Sequence, residues 1–252
     1  MSYLSRIRLN PLRTKGREFL RNPRTVHAAV MGGLPEQPNT NRVLWRLDTR
    51  EHNVNLLVLT PTRPDWTHIV EQAGWPHADG DHVLVRDYTP VLGHLASGRE
   101  FAFRLTANPV QSTMTPDRLT DSQRQRHGDT RPRRGFRVGH RTAAHQIDWL
   151  LRRTDKWGFT IPTSRTDTAA PGMPSTIEGP AQHEVRIVNT TRYTIPKKGM
   201  PKPVTMHAIT FEGRLTITDP DKLRTAMLTG IGPTKAYGCG LLTLAPLRDH
   251  PA

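Results

Sequence analysis

Apolar and polar residues alternate through Tyr3-Leu4-Ser5-Arg6-Ile7-Arg8-Leu9, the period of an edge or half-buried strand. A basic stretch with Arg13, Lys15, Arg17 and Arg21 follows and predicts a loop and a short helix. Asn22-Pro23 then marks a helix start, because Asn caps free N–H groups and Pro is preset for the first helical position. That helix runs from Arg24 to Met31, carries His27 and stops at Gly32-Gly33. Val43 to Leu47 and Val54 to Leu59 read as paired strands. Pro64-Asp65-Trp66 opens a helix through Ala73, and Val83 to Tyr88 reads as a further strand. The order strand, helix, strand, strand, helix, strand is the split unit of ferredoxin-like domains.

A second such unit starts at Glu100-Phe101-Ala102-Phe103-Arg104-Leu105. Residues 111–141 are polar and arginine-rich, too charged for a core, and predict a mobile loop. Ala143 to Trp157 has helical spacing, with Ile147, Trp149, Leu150 and Leu151 facing inward and Arg152 and Arg153 projecting at its end. A proline- and glycine-rich loop spans 163–180. Glu184 to Ile195 and Val204 to Ile217 read as strands joined by a Pro- and Lys-rich tip. Asp219-Pro220 starts the last helix, and Leu241 to Leu244 closes the sheet. The fold class is therefore α+β, two tandem ferredoxin-like (RRM-like) βαββαβ domains. The division falls at residues 1–95 and 96–252, with the candidate histidine in the first.

Charge sets the class of partner. The 252 residues hold 36 Lys and Arg against 22 Asp and Glu, a net charge of +14. An excess of this size, mostly arginine, points to a polyanion. No apolar run is long enough to span a bilayer, and Met1 to Leu9 does not read as a signal peptide. The single Cys239 excludes an intrachain disulfide and a cysteine-rich zinc site, which fits a reducing cytoplasm. No His, Asp and Glu residues cluster at metal-ligand spacing; His94, His127, His140 and His145 are scattered.

Between the last helix and the last strand lies Gly230-Ile231-Gly232-Pro233-Thr234-Lys235-Ala236-Tyr237-Gly238-Cys239-Gly240. It is not a P-loop, because the strand and helix are in the reverse order and no Gly-Lys-Ser/Thr occurs. Its glycines Gly230, Gly232, Gly238 and Gly240 suit either a tight structural turn or a concave anion site lined by N–H groups.

Several motifs recur together in one known family. They are Phe103-Arg104-Leu105-Thr106-Ala107-Asn108-Pro109, Trp149-Leu150-Leu151-Arg152-Arg153, Phe211-Glu212-Gly213-Arg214-Leu215, and the block from Gly230 through Pro246. With Tyr3-Leu4-Ser5-Arg6 and the helix histidine His27, they span nearly the whole chain. The chain thus resembles the CasE family, the CRISPR-associated endoribonuclease of type I-E systems. The resemblance implies two tandem ferredoxin-like domains. It also implies metal-free cutting of CRISPR precursor RNA at the base of the repeat hairpin, with no cofactor. The enzyme would then stay on the hairpin beside other Cascade subunits, away from any membrane.

Such cleavage uses the RNA's own 2′-hydroxyl, and a histidine titrating near neutrality suits either proton transfer. His27 is the candidate, as base or acid. Family members often carry a tyrosine three residues earlier; here Arg24 stands at that position, one helical turn away, where it can hold the scissile phosphate. The candidate RNA contacts are Arg152 and Arg153 at a helix end, Arg192, Lys197, Lys198 and Lys202 at the hairpin tip, Arg133 and Arg134 in the arginine loop, and Lys235 in the glycine-rich segment. Lys235 and the glycines read less as base-readers than as backbone supports that can pack against the catalytic helix. Two other readings fit: a catalytically inactive RNA-hairpin-binding subunit, and a general basic nucleic-acid binder.

Overall fold

Strand β1 (Tyr3–Leu9) lies inside the first sheet, between β3 (Asn53–Thr60) and β4 (Val83–Asp87), with β2 (Leu44–Arg50) at the edge beyond β3. All three pairings are antiparallel. This settles the position of β1 against the edge alternative. In a βαββαβ unit the third and fourth strands return to either side of the first. The alternation seen in the sequence comes instead from one-sided cover, with Ile7 and Leu9 buried while Arg6 and Arg8 are exposed. Residues 1–35, 42–50, 53–113, 136–164, 182–195 and 204–247 of this computed structural model are described.

Helices α1 (Thr14–Arg21), α2 (Pro23–Gly32) and α3 (Thr67–Ala73) cover that face. Phe19, Val26, Val30 and Ile69 from the helices meet Ile7, Leu56 and Val58 from the strands in one core. Asn22 caps α2, its side-chain oxygen accepting from the Arg24 N–H at 3.0 Å, and Pro23 occupies the first turn.

A short helix α4 (Thr89–Gly93) leads to the second sheet. There β5 (Glu100–Ala107) pairs with the last strand, β11 (Leu242–Ala245), on one side and with β10 (Val204–Ile217) on the other. The far edge of β10 takes β9 (Val185–Ile195) along most of its length and β8 (Phe159–Thr160) at its end. Helices α5 (Ala143–Leu151) and α6 (Pro220–Thr229) supply Trp149, Leu150, Leu223 and Met227 to a larger core with Phe103, Leu105 and Phe211. Leu44, Leu59, Tyr88, Leu92 and Leu95 from the first half pack into this same core. Both halves have the ferredoxin-like strand arrangement.

Two expectations need correction. The ends of the stretch read as a loop pair as a ribbon, β6 (Val110–Thr113) with β7 (Phe136–Gly139); 114–135 lie outside the described residues. The helix expected to reach Trp157 stops at Leu151. Thr154 Oγ1 donates to the Leu151 carbonyl at 3.0 Å, competing with the helical pattern, and a 3-10 turn at Asp155–Trp157 then buries Trp157.

The two sheets are joined through Arg46 of β2, which is 1% exposed. Its Nε and Nη2 grip Asp48 at 2.7 and 2.9 Å. Nη1 donates to the carbonyls of Arg104 on β5 and Leu241 before β11, at 2.9 and 3.0 Å, and Nη2 also donates to Thr243 Oγ1 at 2.9 Å. All five guanidinium donors are thereby used. Arg46→Met removes both hydrogen bonds to Asp48 and strands two carbonyls. The expected cost is about 3–5 kcal/mol, the range for breaking a buried pair by removing one partner. A urea midpoint unchanged from the parent protein would contradict this.

Candidate active site

His27 sits on α2 one turn after the cap. Pro23, Val26 and Val30 form the buried side of the helix, so His27 and Arg24 lie along its flank. On the opposite flank His68 of α3 meets the Ala29 carbonyl at 2.9 Å. The His27 ring is half-buried, and its Nδ1 is shielded from solvent without a hydrogen-bond partner. That leaves Nε2 as the nitrogen able to reach a substrate. Arg24 is exposed.

The glycine-rich segment comes to this helix. Its 3-10 turn, Lys235–Tyr237, packs against α2 and against β2. Close approach requires glycine at Gly238, which has φ +82° and whose added Cβ would lie 2.6 Å from the Trp45 ring of β2. At Gly230 an added Cβ would lie 2.6 Å from Leu44 Cδ2, so the segment touches neighbouring residues that point to opposite sides of β2. Gly232 lies against the Trp149 ring of α5. Several N–H groups are engaged internally: Ile231 donates to Gly240 O, Gly240 to Thr106 O, Tyr237 to Thr234 O and Gly238 to Lys235 O. The segment is thus largely a structural clasp, and the picture of an open row of N–H donors is corrected accordingly. Gly240, like Gly238, is buried.

Lys235 is half-buried, its stem lying beside Gly230 and Gly240. Burial and the Arg42 charge hold its ammonium below the usual lysine range. Cys239 is fully buried and its thiol is pushed up to about 12, which removes it as a nucleophile.

The other expected contacts are dispersed. Arg152 is exposed at the end of α5 and paired with Asp148 at 2.7 Å. Arg153 does not project; its guanidinium lies 5.1 Å from the Trp149 ring centre and donates to the Trp149 carbonyl at 2.9 Å. The flat ion is stabilised over the ring face, which draws it back along the helix. Arg192 is exposed on β9, opposite His207. Arg133, Arg134, Lys197, Lys198 and Lys202 lie outside the described residues. Sequence reasoning missed Arg46, although an arginine inside the apolar run Val43-Leu44-Trp45-Arg46-Leu47 was a visible sign of a paired buried charge. Among the described residues no group of three or more His, Cys, Asp or Glu is arranged to hold a metal ion, and no helix is long and apolar enough to cross a membrane.

Fold and site together define a tandem ferredoxin-like protein with a histidine-bearing helix closed by a glycine-rich clasp. The chain belongs to the family of CRISPR associated proteins, whose model matches residues 2–246, and within it to the CasE family. It is 30% identical to the CRISPR-associated endoribonuclease Cse3 of Thermus thermophilus, over 97% of this chain and all of that one. It is 29% identical to the CRISPR system Cascade subunit CasE of Escherichia coli K12, over 81% of this chain and 94% of that one. The structure of Thermus thermophilus Cse3 bound to an RNA representing a pre-cleavage complex matches with a TM-score of 0.68 at 27% identity, covering 97% of this chain and 99% of that chain.

Burial depresses the His27 pKa from its ordinary 6.5. The unfolded chain therefore binds this proton more tightly, and His27 subtracts stability as pH falls through 6.5 toward its folded value. In a histidine NMR titration its ring signals should move with a midpoint below 6.5. A midpoint at or above 6.5 would show that the ring is solvated.

Proposed function

We propose that this protein is a metal-independent endoribonuclease that cuts CRISPR precursor RNA at the base of each repeat hairpin. The full-length likeness to an endoribonuclease whose structure holds a pre-cleavage RNA carries this reading. In the reaction the RNA 2′-oxygen bonds to the adjacent phosphorus and the P–O5′ bond breaks. The products are a 2′,3′-cyclic phosphate and a 5′-hydroxyl. His27, neutral at pH 7 because burial disfavours its cation, accepts the 2′-hydroxyl proton, and the leaving 5′-oxygen takes a proton from solvent. Arg24, on the same flank and exposed, holds the phosphate and stabilises its growing charge.

The same proposal extends to binding. Arg152, Arg153, Arg192, Lys235 and the basic residues Arg133, Arg134, Lys197, Lys198 and Lys202 contact the hairpin stem. The product hairpin stays bound, and the protein remains beside other Cascade subunits, the assembly named for the E. coli relative. The working unit is read as two domains, 1–95 and 96–252, acting in the cytoplasm.

Arg24 in place of a tyrosine keeps a second reading in view, a hairpin-binding subunit without activity. Repeat RNA incubated in EDTA separates the two. Cleavage is expected for the all-ribose repeat and not for a copy with one 2′-deoxy at the cut site. His27→Ala should slow the cut about 10²–10⁴-fold, the usual worth of a positioned acid or base, with hairpin affinity kept. Tight binding without any cleavage by the parent protein would establish the inactive subunit. Cleavage of the deoxy copy would rule out the 2′-hydroxyl mechanism.

A further inference from the structure

The start of α5 gathers cationic side chains that the chemistry above does not use. His140 is half-buried beside the ribbon β6–β7, and its ring centre lies 6.2 Å from that of His145 on the first turn of α5. Thr142 caps the helix, and its Oγ1 also lies 2.7 Å from His145 Nδ1. Gln146 Nε2 donates to the His140 carbonyl at 3.0 Å and fixes the joint between ribbon and helix. Trp149 Nε1 donates to the Val110 carbonyl at 3.2 Å, tying the same ribbon to the ring on which Arg153 rests.

The charges are unbalanced. Among the described residues the one carboxylate acting on His140 is Asp148, and Arg152 already grips it at 2.7 Å. His145 and Arg153 act on His140 with positive charge, and exposed Arg141 adjoins it in the chain. On the ribbon side Pro109, Val110, Gln111 and Gly139 carry no titratable side chain, and the sequence of β7 adds a further arginine, Arg137. Among the described residues no carboxylate pairs with Arg141, Arg153, His140 or His145. Burial, with the neighbouring His145 and Arg153, holds His140 below the usual imidazole range, so the free protein keeps it neutral at pH 7.

An arriving anion reverses that balance. The position of the cluster favours an RNA backbone. The ribbon leads into the arginine-rich 114–135, and Trp149 joins the cluster to Gly232 of the segment that closes on the His27 helix. We propose that His140 and His145, together with Arg153, form a proton-linked contact for phosphates of bound RNA. The proposal rests on the RNA-binding reading above and deepens it: hairpin capture takes up protons here, away from the cleavage chemistry.

The sign follows from linkage. A phosphate beside an imidazole favours its charged form, so the bound state holds more protons and affinity rises as pH falls. A one-unit rise at each ring corresponds to about tenfold in affinity per histidine once both are fully protonated. The test measures the Kd of a repeat hairpin with 2′-deoxy at the cut site, and of an unrelated hairpin of equal length, at pH 7.5, 6.5 and 5.5. Three proteins are compared: the parent, His140→Gln with His145→Gln, and His140→Arg with His145→Arg, each checked for unchanged melting. Between pH 7.5 and 5.5 the parent should tighten about tenfold or more beyond the Gln pair. The Arg pair should bind at pH 7.5 as tightly as the parent does at pH 5.5, with little further change. One common pH slope in all three proteins would overturn the proposal, whatever the cleavage result. Loss of the slope in the variants with no cleavage by the parent would uphold this contact and end the nuclease reading. No binding to either hairpin would end both.

Discussion

Arg46 carries a full charge into the seam between two sheets and uses every donor it has there. Removing such an ion from water costs several kcal/mol, and only good geometry on all sides recovers it. Asp48, its neighbour on the same strand, supplies the countercharge, while the carbonyls of Arg104 and Leu241 and the Thr243 hydroxyl come from the second half. Any slide of β2 along β5 and β11 leaves the guanidinium with unmade bonds in a dry place. Arg104 extends the network outward, 3.6 Å from Asp48 and 3.2 Å from Glu212. The relative position of the two halves is therefore set by directional contacts as well as by apolar cover.

That constraint explains the demands on the glycine-rich segment. It leaves α6, packs against Leu44 and Trp45 of β2 and enters β11, whose position Arg46 has already tied to β2. To touch both Leu44 and Trp45 it must run closer to the strand than a Cβ permits. Its turn then abuts α2, so the His27 helix is held between its own sheet and a loop from the other half. Because Leu44, Leu59, Tyr88, Leu92 and Leu95 share the larger core, an apolar seam reinforces the polar one. Free hinge motion is expected across small polar domain interfaces, and here a fully bonded buried arginine and a shared apolar core both oppose it.

Local signals carried most of the fold. Asn22-Pro23 and Asp219-Pro220 mark helix starts by backbone chemistry alone, and both helices begin there. Strand periodicity located Tyr3–Leu9 but left its neighbours open, because alternation reports a covered face and not which strands lie beside it. The ribbon β6–β7 was illegible for the opposite reason. Its pairing joins residues more than twenty positions apart, across a stretch whose composition reads as loop. At the site, His27 and its cap were legible, and so was the approach of the glycine segment to the helix. Arg153 was not, since a charge after a helix reads as exposed unless the ring at Trp149 is known to lie within reach. His140 and His145 looked scattered because a turn into a helix capped at Thr142, not ligand spacing, brings their rings together.

The arrangement separates two kinds of electrostatics. The net charge of +14 acts over a Debye length, draws a polyanion from any direction and weakens with salt. His27 answers a shorter-range influence: half-burial strips solvent from its ring and keeps a basic nitrogen available at neutral pH. A more exposed histidine would keep its proton to higher pH, and a fully buried one would not reach a phosphate. Placing it on the flank of a capped helix, beside a loop that cannot retreat from β2, fixes that intermediate exposure. Salt should therefore change how much RNA is captured far more than how fast captured RNA is cut, because the first depends on screened charges and the second on a local, partly desolvated contact.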